Sequence, residues 1–392
     1  LKSGIRLLLT PLAAAVLALS AAGAAAQVPS SKSASGTLSN GITWEAQSFI
    51  VGTQTTGSLF STAGNAAYHP SYPGIANGVV GLTMSYAAGS FICTGTLLPD
   101  RLSILTAAHC VSDGFGPSGP INLPNATTVR FQPQNGLGVG TSIFSSTAAV
   151  AIPVAGYTIH PQYTGQVIDQ NDIAILRLAS PAPAWAPAFD IYVPPAGLTG
   201  EVFNVWGYGN TGAGSAGTGL LSITGRLRQG DNRFDFRWGD PDWNGVWDGA
   251  FDNPALPAAM TTFSYLSDFD NGNSANDASC LVAASEGLGG AKYCNTGLGL
   301  REVGLGGGDS GGPSFINGRI ASINSYGLTF GVDFGDAVAG INSSFGEFSG
   351  YVPVYIHADF INAALIPEPG TYGLMALGLL GVAAAARRRR QD

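Results

Sequence analysis

Gly308-Asp309-Ser310-Gly311-Gly312-Pro313 sets one serine inside a run of glycines. Glycines let a backbone turn sharply and bring its N–H groups close to a reacting carbonyl. The N–H groups of Gly308 and Ser310 are therefore suited to face one developing oxyanion. A serine becomes a nucleophile only beside a base, and the base needs a group that orients it. Working outward, Leu105-Thr106-Ala107-Ala108-His109-Cys110 supplies a histidine at the end of an apolar run. Asn171-Asp172-Ile173-Ala174-Ile175-Leu176 supplies a carboxylate at the mouth of another. Taken singly, Ser310 reads as a turn serine, His109 as a core histidine and Asp172 as a strand-end cap. Their joint occurrence argues for acyl-transfer chemistry.

The order His, Asp, Ser along the chain resembles that of the trypsin/chymotrypsin-like serine proteases. The resemblance covers roughly residues 67–366. Cys93-Thr94-Gly95-Thr96-Leu97-Leu98 resembles the family's strand before the histidine, and Trp206-Gly207-Tyr208-Gly209 the start of its second barrel. Ser325-Tyr326-Gly327 resembles the strand lining the substrate cleft. The resemblance implies an all-β fold of two six-stranded antiparallel β-barrels, about 67–185 and 186–366, with a short C-terminal helix. It implies His109 as general base, Asp172 as orienting carboxylate, Ser310 as nucleophile and Gly308 with Ser310 as oxyanion donors. Gly304, Ser325, Tyr326 and Gly327 are the implied substrate-binding residues, protein or peptide the substrate, and no cofactor or metal is needed. The runner-up is a non-catalytic surface or matrix binding module on the same fold.

Three departures from the family matter. Gly306 stands where a cysteine four residues before the nucleophile is usual, and Gly304 where trypsin-type enzymes carry an aspartate, so a preference for Arg or Lys is not expected. Phe49-Ile50-Val51-Gly52 resembles a new N-terminus able to pair with Asp309, but it lies farther from Cys93 than is usual and reads equally as a plain apolar strand.

Both ends read as addresses. Residues 1–26 carry Lys2 and Arg6, an apolar run and Ala24-Ala25-Ala26, the three parts of a secretory signal peptide. At the other end, Pro367-Glu368-Pro369, an apolar run and Arg387 to Arg390 resemble a PEP-CTERM sorting tail over residues 367–392. That resemblance implies an exosortase-type processing partner and delivery to the cell surface or extracellular matrix of a Gram-negative bacterium. Membrane contact is expected only through this tail, as a transient transmembrane anchor; its run of about 15 apolar residues is slightly short of the usual span.

Composition agrees with an exported β protein. Charged residues are 11% of 392, and there are 56 glycines, which disfavours helix bundles and coiled coils. Between the two addresses stand 11 basic and 23 acidic residues; an acidic body with no basic stripe argues against nucleic acid. Four cysteines, Cys93, Cys110, Cys280 and Cys294, suggest two disulfides, and of the three pairings the sequential one is simplest. The family resemblance itself implies Cys93–Cys110.

The remaining stretches have a blander reading. Residues 27–66, rich in Ser, Thr, Gly and Ala, read as a leader or flexible arm. Five prolines between Pro181 and Pro195 suit a linker between halves. Residues 230–278 look like an insertion, with Trp238, Trp243 and Trp247 read as loop packing rather than glycan binding. Asp268 to Asp277 is dense in oxygen ligands but fails the EF-hand pattern, so it reads as a solvated acidic loop rather than a calcium site.

Overall fold

The structure is a computed structural model that describes residues 33–38, 40–47, 51–54, 75–87, 89–133, 142–218 and 224–365. Residues 1–26, read above as a signal peptide, and the 367–392 stretch read as a sorting tail lie outside them. Six antiparallel strands close a barrel in the order Val150–Ile159, Ala174–Leu178, Ser103–Thr106, Gly89–Leu97, Val79–Tyr86, Ala126–Phe131. Its strands are the short apolar runs of the sequence, and Val80, Leu82, Leu97, Ile104, Val129 and Leu176 share the face that fills its interior. Closure leaves no unpaired edge, so a short apolar strand can be fully buried without orphaned backbone groups.

The second half is built on one sheet in the order Arg228–Arg233, Val202–Gly207, Pro313–Ile316, Arg319–Thr329, Phe348–Pro353, Tyr265–Asp268, Phe236–Arg237. Where a second closed barrel is expected, this sheet stays open among the described residues. The segment that approaches its outer strand makes one isolated parallel bridge, Asp231 to Glu302. Gly304, Gly306 and Gly307 follow directly, and glycine in such density weakens a strand.

The linker crosses between halves pinned to the barrel, with the Arg101 guanidinium donating to the carbonyls of Ala182, Pro183 and Ala186. At the end of the body a 3-10 turn, Val354–His357, runs into the helix Ala358–Leu365, the short terminal helix expected. A second helix, Ala278–Ser285, is capped by Asp277, whose side chain accepts from Cys280 N–H.

Part of the 27–66 stretch is not a free arm. Ser33–Thr37 and Thr43–Gln47 form a hairpin that adds to the second sheet, with Gly327 opposite Gln47 and Thr329 opposite Glu45. Trp44 and Ala46, at alternate positions, are the buried face of that hairpin, and the Trp44 ring meets Phe251 edge-on at 5.0 Å. The small polar residues around them hide this two-residue signal. Trp238, Trp243 and Trp247 are all buried in the same aromatic cluster, as the packing reading expects. Trp238 Nε1 donates to the Tyr326 hydroxyl at 2.9 Å.

Candidate active site

His109 lies in a 3-10 turn, Ala108–Cys110, directly after the barrel strand Ser103–Thr106. A Cys93–Cys110 disulfide ties that turn to the neighbouring strand Gly89–Leu97. Asp172 sits just ahead of Ala174–Leu178, in a turn closed by its own N–H to the Asp169 carbonyl. Ser310 comes from the other half, three residues ahead of Pro313–Ile316. The cleft between barrel and sheet thus gathers residues that are 63 and 138 positions apart.

The three side chains form one hydrogen-bonded chain. Asp172 Oδ2 is 2.6 Å from His109 Nδ1, and Asp172 Oδ1 accepts from the His109 backbone N–H at 2.8 Å. His109 Nε2 is in hydrogen-bond contact with Ser310 Oγ. Ser325, expected to bind substrate, donates its hydroxyl to Asp172 Oδ2 at 2.6 Å. Burial would push the Asp172 carboxyl up, but the adjacent His109 and these donors more than offset it and hold the carboxyl below its usual range. A carboxylate so held orients the imidazole and fixes which ring nitrogen faces Ser310.

The glycines around Ser310 are imposed by crowding. A Cβ on Gly311, at φ +72°, would stand 1.9 Å from Thr106 Oγ1. The Ser310 carbonyl accepts from Thr94 N–H at 2.8 Å, and Thr94 Oγ1 donates to the Gly308 carbonyl at 2.5 Å. Among the described residues the N–H groups of Gly308 and Ser310 donate to no protein acceptor.

Asp309 points away from the cleft into a buried pocket. Its Oδ1 accepts from Gly209 N–H at 2.7 Å and its Oδ2 from Gly306 N–H at 3.1 Å. The nearby cation is Arg228, only 1% exposed, which also donates to the carbonyls of Gly209 and Asn210. Burial pushes the Asp309 carboxyl up to about 6, with Arg228 and the Gly209 N–H acting the other way. Burial likewise draws the Arg228 guanidinium down to about 10 against the pull of Asp309. A Cβ on Gly207 would lie 1.9 Å from Asp309 Oδ1, which is why that position has no side chain. The strand Val51–Gln54 runs parallel to Asn210–Gly212, with Val51 opposite Asn210; Phe49 and Ile50 fall outside the described residues.

Sequence reading missed Arg228. Its signal is a charge on the inward parity of Arg228–Arg233, whose residues alternate buried and half-buried. That parity is not known until the strand's pairing is.

The other expected residues divide. Gly304 is buried with the Phe269 ring beside it, 3.1 Å from where a Cβ would stand. Tyr326 does not offer its ring to the cleft: it is fully buried and its hydroxyl also bonds Ser264 Oγ at 2.7 Å. Gly327 is half-buried and paired to Gln47 of the hairpin. Cys280 and Cys294 form the second disulfide. The 268–277 stretch is solvated only in part: residues 271–275 are exposed, as expected, but Asp268, Asp270 and Asp277 are all buried, where contacts with Glu302 and the helix Ala278–Ser285 fold them inward.

Two family models match the chain. Trypsin matches residues 68–232, which include His109 and Asp172 and end before Ser310. The PEP-CTERM protein-sorting motif matches residues 365–390. Trypsin of Phaedon cochleariae is 26% identical over 241 residues, covering 60% of this chain and 69% of the relative. Among the described residues no helix is long and apolar enough to cross a membrane; the apolar run of the tail lies outside them. The chain therefore carries a body similar to the trypsin family of serine proteases and ends in a PEP-CTERM sorting motif.

Proposed function

We propose that the protein is an exported serine endopeptidase acting through an acyl-enzyme. The observation that carries this is the unbroken contact from Ser310 Oγ through His109 to Asp172. His109 takes the Ser310 proton as Oγ attacks the scissile carbonyl, and Asp172 stabilises the imidazolium that forms. The N–H groups of Gly308 and Ser310 stabilise the oxyanion. His109 then protonates the leaving amine, and a water activated by the same imidazole hydrolyses the Ser310 ester. Ser310→Ala should abolish peptide hydrolysis and labelling by an organophosphate probe while the circular dichroism spectrum is kept. Turnover retained in the purified variant overturns the assignment.

Substrate approaches the strand edge at Ser325-Tyr326, short of Gly327, which the hairpin already pairs, and the pocket for the residue before the scissile bond has an uncharged base. Gly304 with the Phe269 ring beside it supports this. Of the two carboxylates that follow this strand, Asp333 is exposed and Asp336 is already bonded by Thr329 Oγ1 and Ser344 Oγ, both at 2.8 Å. Chromogenic peptides ending in Phe, Leu or Ala should be cleaved faster than those ending in Arg. An exosortase-type enzyme removes the 367–392 tail during delivery to the cell surface; mature protein that keeps this tail by mass spectrometry contradicts the processing.

A further inference from the structure

Five carboxyl groups meet in the second half of the molecule. Asp268 ends the strand Tyr265–Asp268, Asp270 follows it, and Asp277 caps the helix Ala278–Ser285. These three each present an oxygen within 4.8 Å of the others. That spacing is about the greatest two oxygens can have while both lie ~2.4 Å from one ion. Glu302 and Asp235 adjoin them: Glu302 Oε1 accepts from Asp270 N–H at 2.6 Å, and Asp235 Oδ2 accepts from Asp268 N–H at 3.0 Å.

The group is buried and short of positive charge. Its nearest cation is Arg233, engaged with Asp235 at 3.1 Å. Asp268 and Asp277 each have a backbone donor, from Ser279 and Cys280. Asp270 differs. It is 4% exposed, and its Oδ1 is fully buried with no hydrogen-bond partner. A buried acceptor left unmade is unfavourable, and an ionised one far more so. The backbone has also been cleared around it: Gly297, at φ +89°, approaches so closely that a Cβ would stand 2.5 Å from Asp270 Cβ and 2.1 Å from Glu302 Oε2.

We propose that Asp268, Asp270 and Asp277 bind one calcium ion, with Glu302 and Asp235 as flanking negative charge. The donor set is oxygen only, which selects a hard cation over zinc or copper. Three anionic ligands from an irregular loop suit the flexible shell of calcium better than the strict octahedron of magnesium. The ion would join the strand end, the helix start and, through Glu302, the segment that runs by way of Gly304 to Ser310. None of this depends on peptide hydrolysis.

The test is calcium binding by the purified full chain, depleted with EGTA and titrated with CaCl2 in a calorimeter. One ion should bind with Kd of about 10⁻⁴–10⁻³ M, as in extracellular modules. At ten times that concentration Tm should rise by about 3 °C and fall back with EGTA. Magnesium should bind at least about tenfold more weakly. Asp270→Asn and Asp277→Asn should each weaken calcium binding at least about tenfold. Asn caps a helix as well as Asp does, so Asp277→Asn reads the charge even if Asp270→Asn fails to fold. In EGTA the Asp270→Asn variant should be at least as heat-stable as the parent. No calcium-dependent heat or Tm change up to about 10 mM overturns the site, and so does unchanged affinity in the variant that folds.

Discussion

Asp172 and Asp270 are both buried carboxyl groups, and their surroundings are opposite. Asp172 has donors on each oxygen: the His109 ring and Ser325 hydroxyl on one, the His109 backbone on the other. Asp270 has an oxygen with no donor and four other carboxyls around it. Burial acts on both in the same direction, so the donors decide the outcome. A carboxylate surrounded by fixed donors is held ionised and can orient a base. One surrounded by carboxylates is poised for a cation the protein does not itself supply. Asp309 stands between them, with two backbone donors and one buried guanidinium.

The largest effect expected tests the donor-rich end. Asp172→Asn keeps the shape but offers His109 the wrong hydrogen-bonding partner. Turnover should fall by about 10⁴ with Tm little changed. A fall of less than about tenfold would place Asp172 outside the catalytic chain.

The intermediate case is Arg228. Arg228→Met leaves Asp309 buried without its cation and should destabilise the fold by about 3–5 kcal/mol in urea denaturation. Adding Asp309→Asn to that variant should restore most of the loss, because the buried charge goes too. Equal destabilisation in the single and double variants would mean that Arg228 acts through packing alone.

The same logic extends to a histidine whose imidazole is buried without a carboxylate. His357 Nε2 contacts the Gln170 carbonyl at 2.7 Å, and the His160 ring lies 4.7 Å away. Burial pulls His357 down to about 4, beyond what the Gln170 carbonyl restores, and His160 adds to the fall. The unfolded chain takes up its proton near pH 6.5 and the folded chain only near 4. Stability should therefore be intact above about pH 6.5 and fall by roughly 3 kcal/mol as pH drops to 4. His357→Gln should remove that part of the slope; a variant with the parent's pH profile would show that the imidazole does not govern it.

Much of the arrangement of Ser310, His109 and Asp172 is legible in the sequence because it rests on short, covalently local signals. The glycines at 308, 311 and 312 announce a crowded turn, and the apolar runs before His109 and after Asp172 announce barrel strands. The terminal helix and both sequential disulfides are of the same kind. The rest is less legible because it depends on pairing between distant segments. Trp44 and Ala46 mark a strand only once the edge of Arg319–Thr329 is there to receive them. Tyr326 lies in a motif that resembles a cleft wall, yet Trp238 and Ser264 draw its side chain into the core.

By itself the sequence determined the chemical identities: a serine, a histidine and an aspartate in a known order, the cysteines able to pair, and a PEP-CTERM sorting motif. These follow from residue type and near neighbours, where the chain has little freedom to choose. Only the tertiary structure decided which charges are compensated. Asp268, Asp270 and Asp277 look like a solvated loop because, in sequence, nothing lies over them. Folding lays Glu302, Gly297 and the helix Ala278–Ser285 against them and removes the water. The energy of a buried charge depends on what surrounds it in three dimensions, and those surroundings come from segments that the linear order keeps far apart.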